Sequence, residues 1–271
     1  SGSAKLEKGR MFRLYPAADL RCGDAPDGYT PCYITHYGRH GSRYVIDANQ
    51  YEDVLNVLKT AAADDKLTPL GQSLYERYDE VYPLLKWREG ELSRIGVEQH
   101  KLIAKRMYWS YPEIFRNNPR VEAITSMLSR TMMSMTSFCE SLMEEDVKLD
   151  IHQEATIKNI RPINPFTVQS ELVPEDEKRY IKGTNTLWWE SFSEFMHNTI
   201  KTEDFIARIF TDSAYAESVC KPLKFMRDLY YVAVHFHGTD QCDVSLADAF
   251  TEEEIKALWE CDNAKYYMER G

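Results

Sequence analysis

Apolar residues along the chain recur at two spacings: short β-branched and aromatic runs, and longer stretches of helical period. "CYITHY" (32–37) ends at Gly38, the pattern of a buried strand that feeds a loop. Beyond it, Tyr51, Val54, Leu55 and Leu58 fall on one helical face. "LTPLGQSLYERYDEVYPLL" offers Thr68 as N-cap, with Pro69 at the first helical position. "LSRIGVEQHKLIAKRMYWSYPEIF" offers Ser93 as a cap, with Leu102, Ile103 and Met107 as the apolar face. "RVEAITS" (120–126) predicts a second strand, running directly into a helix over "LSRTMMSMTSFCESLMEE" whose stripe is Leu128, Met132, Met135 and Leu142. Burial explains that methionine spacing, so the methionines read as core filler and not as a metal box. "VKLDIHQ" (147–153) predicts a third strand.

Strands alternating with helices predict an α/β fold, a mostly parallel sheet with flanking helices and ligands held at its carboxyl edge. Near "RPINPF" two prolines precede the polar run "SELVPEDEKRY", and the remainder is helical in period. Leu187, Trp188, Phe192, Phe195 and Met196 share one face there. "TEDFIARIF" and "KPLKFMRDLYYVAV" continue the pattern, and Thr251 with Glu254 forms a capping box. The expected organisation is an α/β core over 1–160 and an α-helical cap over 161–271.

Charge narrows the partners. The 271 residues carry 33 Lys plus Arg against 43 Asp plus Glu, a formal net charge of −10. Such a surface repels nucleic acid and anionic lipid, so neither is expected as a partner, and an anionic ligand needs a local basic pocket. No apolar run approaches the ~20 residues of a membrane-spanning helix. The opening "SGSAKLEKGR" has no apolar signal core. Cys22, Cys32, Cys139, Cys220, Cys242 and Cys261 form no C-x-x-C pair, which argues against structural zinc. They fit either an oxidised chain, with Cys22 and Cys32 closing a small loop, or a set of free thiols.

The positive charge this acidic chain does gather sits in "YGRHGSRY" (37–44), at the end of the first predicted strand. A histidine among arginines suits attack by an imidazole nitrogen on a phosphoryl group whose oxygens are gripped by guanidinium forks. Nearby positive charge favours the neutral, nucleophilic imidazole. Gly41 lets the backbone pass close to the ring and accept a hydrogen bond from its other N–H, which fixes the tautomer. Phosphoryl transfer depends mainly on such positioning and charge neutralisation.

"RHGSR" resembles the R-H-G-x-R signature of the histidine acid phosphatases, and "SMLSRTMMSMTSF" is similar to that family's second segment, S-x-x-x-R-T-x-x-S. Within the family the likeness is closest to the multiple inositol polyphosphate phosphatases, which are phytase-like. Tyr44 follows R-H-G-S-R as it often does in that group, and "FTEEEIKALWECDNAKYYMERG" resembles a segment late in its helical domain. The resemblance implies His40 as the nucleophile that becomes phosphorylated. Arg39, Arg43 and Arg130 would hold the phosphate, with Ser42 beside them. It further implies a metal-independent phosphomonoesterase without cofactor, acting on a small phosphorylated substrate such as phytate, in the periplasm or secreted. A second catalytic histidine and an acid, in an H-A-E or H-D motif, are implied beyond residue 271.

Other candidates are weaker. His235, His237 and Asp240 in "VHFHGTD" lie in the predicted cap and read as surface or core histidines rather than the catalytic pair or a metal site. His36, on the predicted strand, reads as a core histidine. Lys182, Lys221 or Lys224 in the cap are candidates to reach a polyphosphate. Two competing functions share the same residues: a noncatalytic phosphate-binding module lacking the general acid, and a phosphotransferase of mutase type.

Overall fold

The computed structural model describes residues 25–117, 120–163, 188–237 and 244–270. In chain order these form α1 (Asn49–Ala63), α2 (Pro69–Leu85), α3 (Arg94–Ser110), α4 (Pro112–Asn117), β1 (Arg120–Thr125), α5 (Ser129–Glu145), β2 (Asp150–Ala155) and α6 (Ile157–Ile163). They continue with α7 (Trp189–Thr199), α8 (Glu203–Ile209), α9 (Ser213–Val219), α10 (Pro222–His237), a 3-10 turn (Ala247–Ala249) and α11 (Glu252–Arg270). The fold is α/β, mostly helical with a small parallel sheet.

Among the described residues contacts divide the chain into two units, one of Val45–Glu89 with the helices from residue 188 onward, the other of residues 25–44 with 90–163. In the first unit α1 and α2 pack with the later helices. Tyr78 of α2 donates to the Tyr51 carbonyl of α1 at 2.9 Å and meets the Phe236 ring of α10 edge-on at 5.1 Å. Phe205, Phe225, Tyr230 and Phe250 form a connected aromatic core in the same unit. The predicted starts hold: Thr68 Oγ1 accepts from Gly71 N–H at 3.1 Å, and the Thr251–Glu254 capping box closes in both directions.

In the other unit β1 and β2 pair in parallel, from Arg120 opposite Asp150 to Thr125 opposite Ala155, with α5 as the crossover. The strand expected over 32–37 is absent. Tyr33 and Tyr37 are 78% and 75% exposed, and no backbone hydrogen bond ties 32–37 to a described strand. A strand exists only through its ladder, so an apolar run without a pairing partner stays irregular. Among the described residues the sheet therefore has two strands and not three, and β1 has one edge unpaired. The strand expected over 147–153 begins later, at Asp150.

Both helices beside the sheet bury small and polar residues where the pattern predicted an apolar stripe, although Leu142 of that stripe is buried as expected. In α5, Met132 and Met133 are exposed while Ser134, Ser137, Cys139, Ser141 and Leu142 are buried. In α3 the buried residues are Gly96, Gln99, His100 and Ala104, and Leu102, Ile103 and Met107 are only partly covered. Small side chains let α3 and α5 approach closely, and each buried hydroxyl has an acceptor. Ser137 bonds the Met133 carbonyl at 2.7 Å and Ser141 bonds the Lys101 carbonyl at 3.1 Å. Apolar contacts close below, where Ala104, Phe115, Leu142 and Leu149 form a buried cluster.

Candidate active site

The "GRHGSR" loop follows the irregular 32–37 segment and is held by the N-terminal halves of α3 and α5. Gly41 packs so tightly on α3 that a Cβ there would lie 2.5 Å from the Gly96 carbonyl oxygen, which excludes any side chain at either glycine. Around it the loop backbone is bonded at successive peptide groups. Gly41 N–H donates to Ser134 Oγ at 3.0 Å and Ser42 N–H to Gln99 Oε1 at 2.8 Å. The Ser42 carbonyl accepts from Ser93 N–H at 2.9 Å and from Ser93 Oγ at 3.1 Å. The His100 ring is hydrogen-bonded to the Arg39 backbone, and burial of that ring lowers its pKa.

His40 is part-buried, and its Nδ1 lies 2.8 Å from the Gly41 carbonyl oxygen. A carbonyl only accepts, so Nδ1 carries the proton and Nε2 keeps its lone pair. This is the bond expected from the sequence. Burial lowers the ring's pKa from 6.5 to about 4; the Gly41 bond opposes the shift, and the charges of Arg39, Arg43 and Arg130 add to it. The pKa of Arg130 is itself lowered, first by burial and then by Arg43 and Arg39. The structure thus brings His40, Arg39, Arg43 and Arg130 into one electrostatic cluster, with Arg130 at the start of α5.

Several donors in this cluster lack a protein partner. Ser42 Oγ, Arg43 Nε and Arg130 Nε are buried without a hydrogen-bond acceptor among the described residues. Arg43 is 6% exposed and spends one Nη1 donor on the Tyr44 carbonyl at 2.8 Å. Buried guanidinium donors without acceptors are costly unless an anion completes them. Beside the cluster a cleft of about 480 Å³ runs between residues 32–40 and the unpaired edge of β1, floored by Met107, Phe138 and Leu142. Its polar end holds Arg39, His40 and Ser134.

Remaining candidates fall elsewhere. His36 is not a core residue: it is exposed, its ring stacked on Phe138 at 5.6 Å. His235 is fully buried in α10, its Nδ1 2.6 Å from the Tyr231 carbonyl, as a core histidine would be. Lys224 is paired with Asp53 and Asp228, while Lys182 and Asp240 lie outside the described residues. Among the described residues no group of three or more His, Cys, Asp or Glu could hold a metal ion, and no helix is long and apolar enough to cross a membrane. Cys32, Cys139, Cys220 and Cys261 are free thiols; Cys22 and Cys242 lie outside the described residues. Sequence reasoning missed Gln99, His100 and Ser93's second bond. No local pattern signals them, because Gln99 and His100 meet the loop only through the packing of α3 against it.

No family model and no curated protein matches the chain in sequence. Solved structures match in fold. The Bifidobacterium longum multiple inositol polyphosphate phosphatase in complex with inositol hexasulfate superimposes with a TM-score of 0.66 at 14% identity, over 98% of this chain and 70% of that one. Its phosphate complex gives a TM-score of 0.63 at 15% identity, and its apo form 0.61 at 15%, each over 98% of this chain and 69% of that one.

Proposed function

We propose that a chain with this phosphatase-like fold is a phosphomonoesterase whose nucleophile is His40 and whose substrates are inositol polyphosphates. The observation that carries the reading is the set of buried, unsatisfied donors on Ser42, Arg43 and Arg130 around an imidazole held neutral. A phosphoryl group supplies the missing acceptors, and Nε2 is the ring nitrogen left free to attack. In the first step an Nε2–P bond forms as the P–O bond to the leaving alkoxide breaks, with the guanidiniums taking up charge on the equatorial oxygens. Water then attacks the phosphohistidine and releases phosphate. The solved neighbours with inositol hexasulfate and phosphate support this ligand class. Location in the periplasm or outside the cell rests on the family resemblance alone, and fractionating cells that express the full gene tests it.

A second reading has a specific observation behind it. The unsatisfied donors on Ser42, Arg43 and Arg130 would hold a phosphate whether or not it is turned over, as a noncatalytic phosphate-binding module would. Incubation with phytate separates the readings. Released inorganic phosphate that vanishes in His40→Ala supports hydrolysis, binding without release supports the module, and an isomerised product supports a mutase.

A further inference from the structure

We propose that Gln99 is a positioning residue that fixes the orientation and tautomer of His40 through a single peptide plane. The Gly41 carbonyl and the Ser42 N–H are the two ends of one planar amide. At one end the carbonyl oxygen accepts from His40 Nδ1 at 2.8 Å; at the other the N–H donates to Gln99 Oε1 at 2.8 Å. Rotation of that plane would break both bonds together. Gln99 is 7% exposed and Ser42 is 1% exposed, so water does not compete for this N–H. Donating it to an amide oxygen also polarises the group and strengthens the Gly41 carbonyl as an acceptor for the ring.

The neighbouring planes cannot absorb a slip. Gly41 N–H is held by Ser134 Oγ, whose own proton goes to the Arg130 carbonyl at 2.8 Å, and the Ser42 carbonyl is held twice by Ser93. A neutral acceptor suits the place. A carboxylate there would set a negative charge beside the phosphate pocket, and a shorter amide would not span from α3 to the loop. Gln99 lies outside both motif segments, and nothing in the helical pattern of α3 marks it as more than a polar residue on a buried face.

The test is ¹⁵N NMR of the His40 ring in the whole chain, alone and with inorganic phosphate, for wild type, Gln99→Leu and Gln99→Glu. Wild type should show one form, protonated at Nδ1. Gln99→Leu, which keeps the volume and removes the acceptor, should show exchange between both tautomers, while Gln99→Glu, which keeps an acceptor, should hold the Nδ1–H form. The kinetic arm rests on the phosphatase reading: Gln99→Leu should lower kcat on phytate by ~10- to 100-fold with KM little changed, the size seen when the partner that orients a functional histidine is removed. An unchanged His40 spectrum in folded Gln99→Leu overturns the proposal, since a purely structural glutamine would alter only the melting temperature. If Gln99→Leu does not fold, mixed tautomers in wild type or in Gln99→Glu overturn it. A chain that releases no phosphate yet shows the spectral pattern defeats the phosphatase reading and leaves the role of Gln99 standing.

Discussion

His40 shows how far a single side chain was legible. Its place beside Arg39 and Arg43, and its bond to Gly41, follow from residue types at short spacing, whereas Arg130 was legible only through the likeness of its segment to the family's second motif. The side chains that hold the loop were not legible, since Gln99 and His100 meet it only through tertiary packing. The low pKa carries a signed prediction. Above about pH 4 the folded ring stays neutral, whereas in the unfolded chain it takes a proton near 6.5. Between these values the unfolded state binds more protons, so His40's contribution to stability is lost as pH falls from about 6.5 to about 4. Titration followed on the His40 ring should place its midpoint near 4, and a midpoint near 6.5 would show a solvated ring. The acid limb of phosphate release assigned to His40 should lie at the same low pH.

Helix starts were readable because a cap is a local device. Thr68, Ser93 and the Thr251–Glu254 pair all act where their types predicted. Replacing Thr251 with alanine removes the acceptor for Glu254 N–H and should cost about 1 kcal/mol, measured by urea unfolding. Which face a helix buries was less readable. The stripe Met132 and Met135 looked like core, yet α5 turns its serines toward α3, because hydroxyls that bond their own helix or a neighbouring carbonyl can be buried while the gap between helices stays narrow. The exposed Met132 and Met133 then lie on the surface beside Arg130, where no periodicity argument would have left them.

For the molecule as a whole, alternation of strand and helix identified the α/β class, and the βαβ unit β1–α5–β2 appears where it was expected. Two things were hidden. The grouping of α1 and α2 with the later helices depends on which apolar faces meet, and chain order does not encode that. The failure of 32–37 to become a strand depends on a pairing partner, which the composition of a run cannot supply. Among the described residues the outer row of main-chain donors and acceptors on β1 has no pairing strand, with Ile124 53% exposed beside it. Such a row is a template for another polypeptide. At rising concentration this chain should therefore form larger species by strand addition, visible as a growing sedimentation coefficient, and Ile124→Lys should suppress them; a size independent of concentration in both would show that the margin is protected. Purification would then select for dilute, charged conditions, and any assay of this chain should be read alongside its state of assembly.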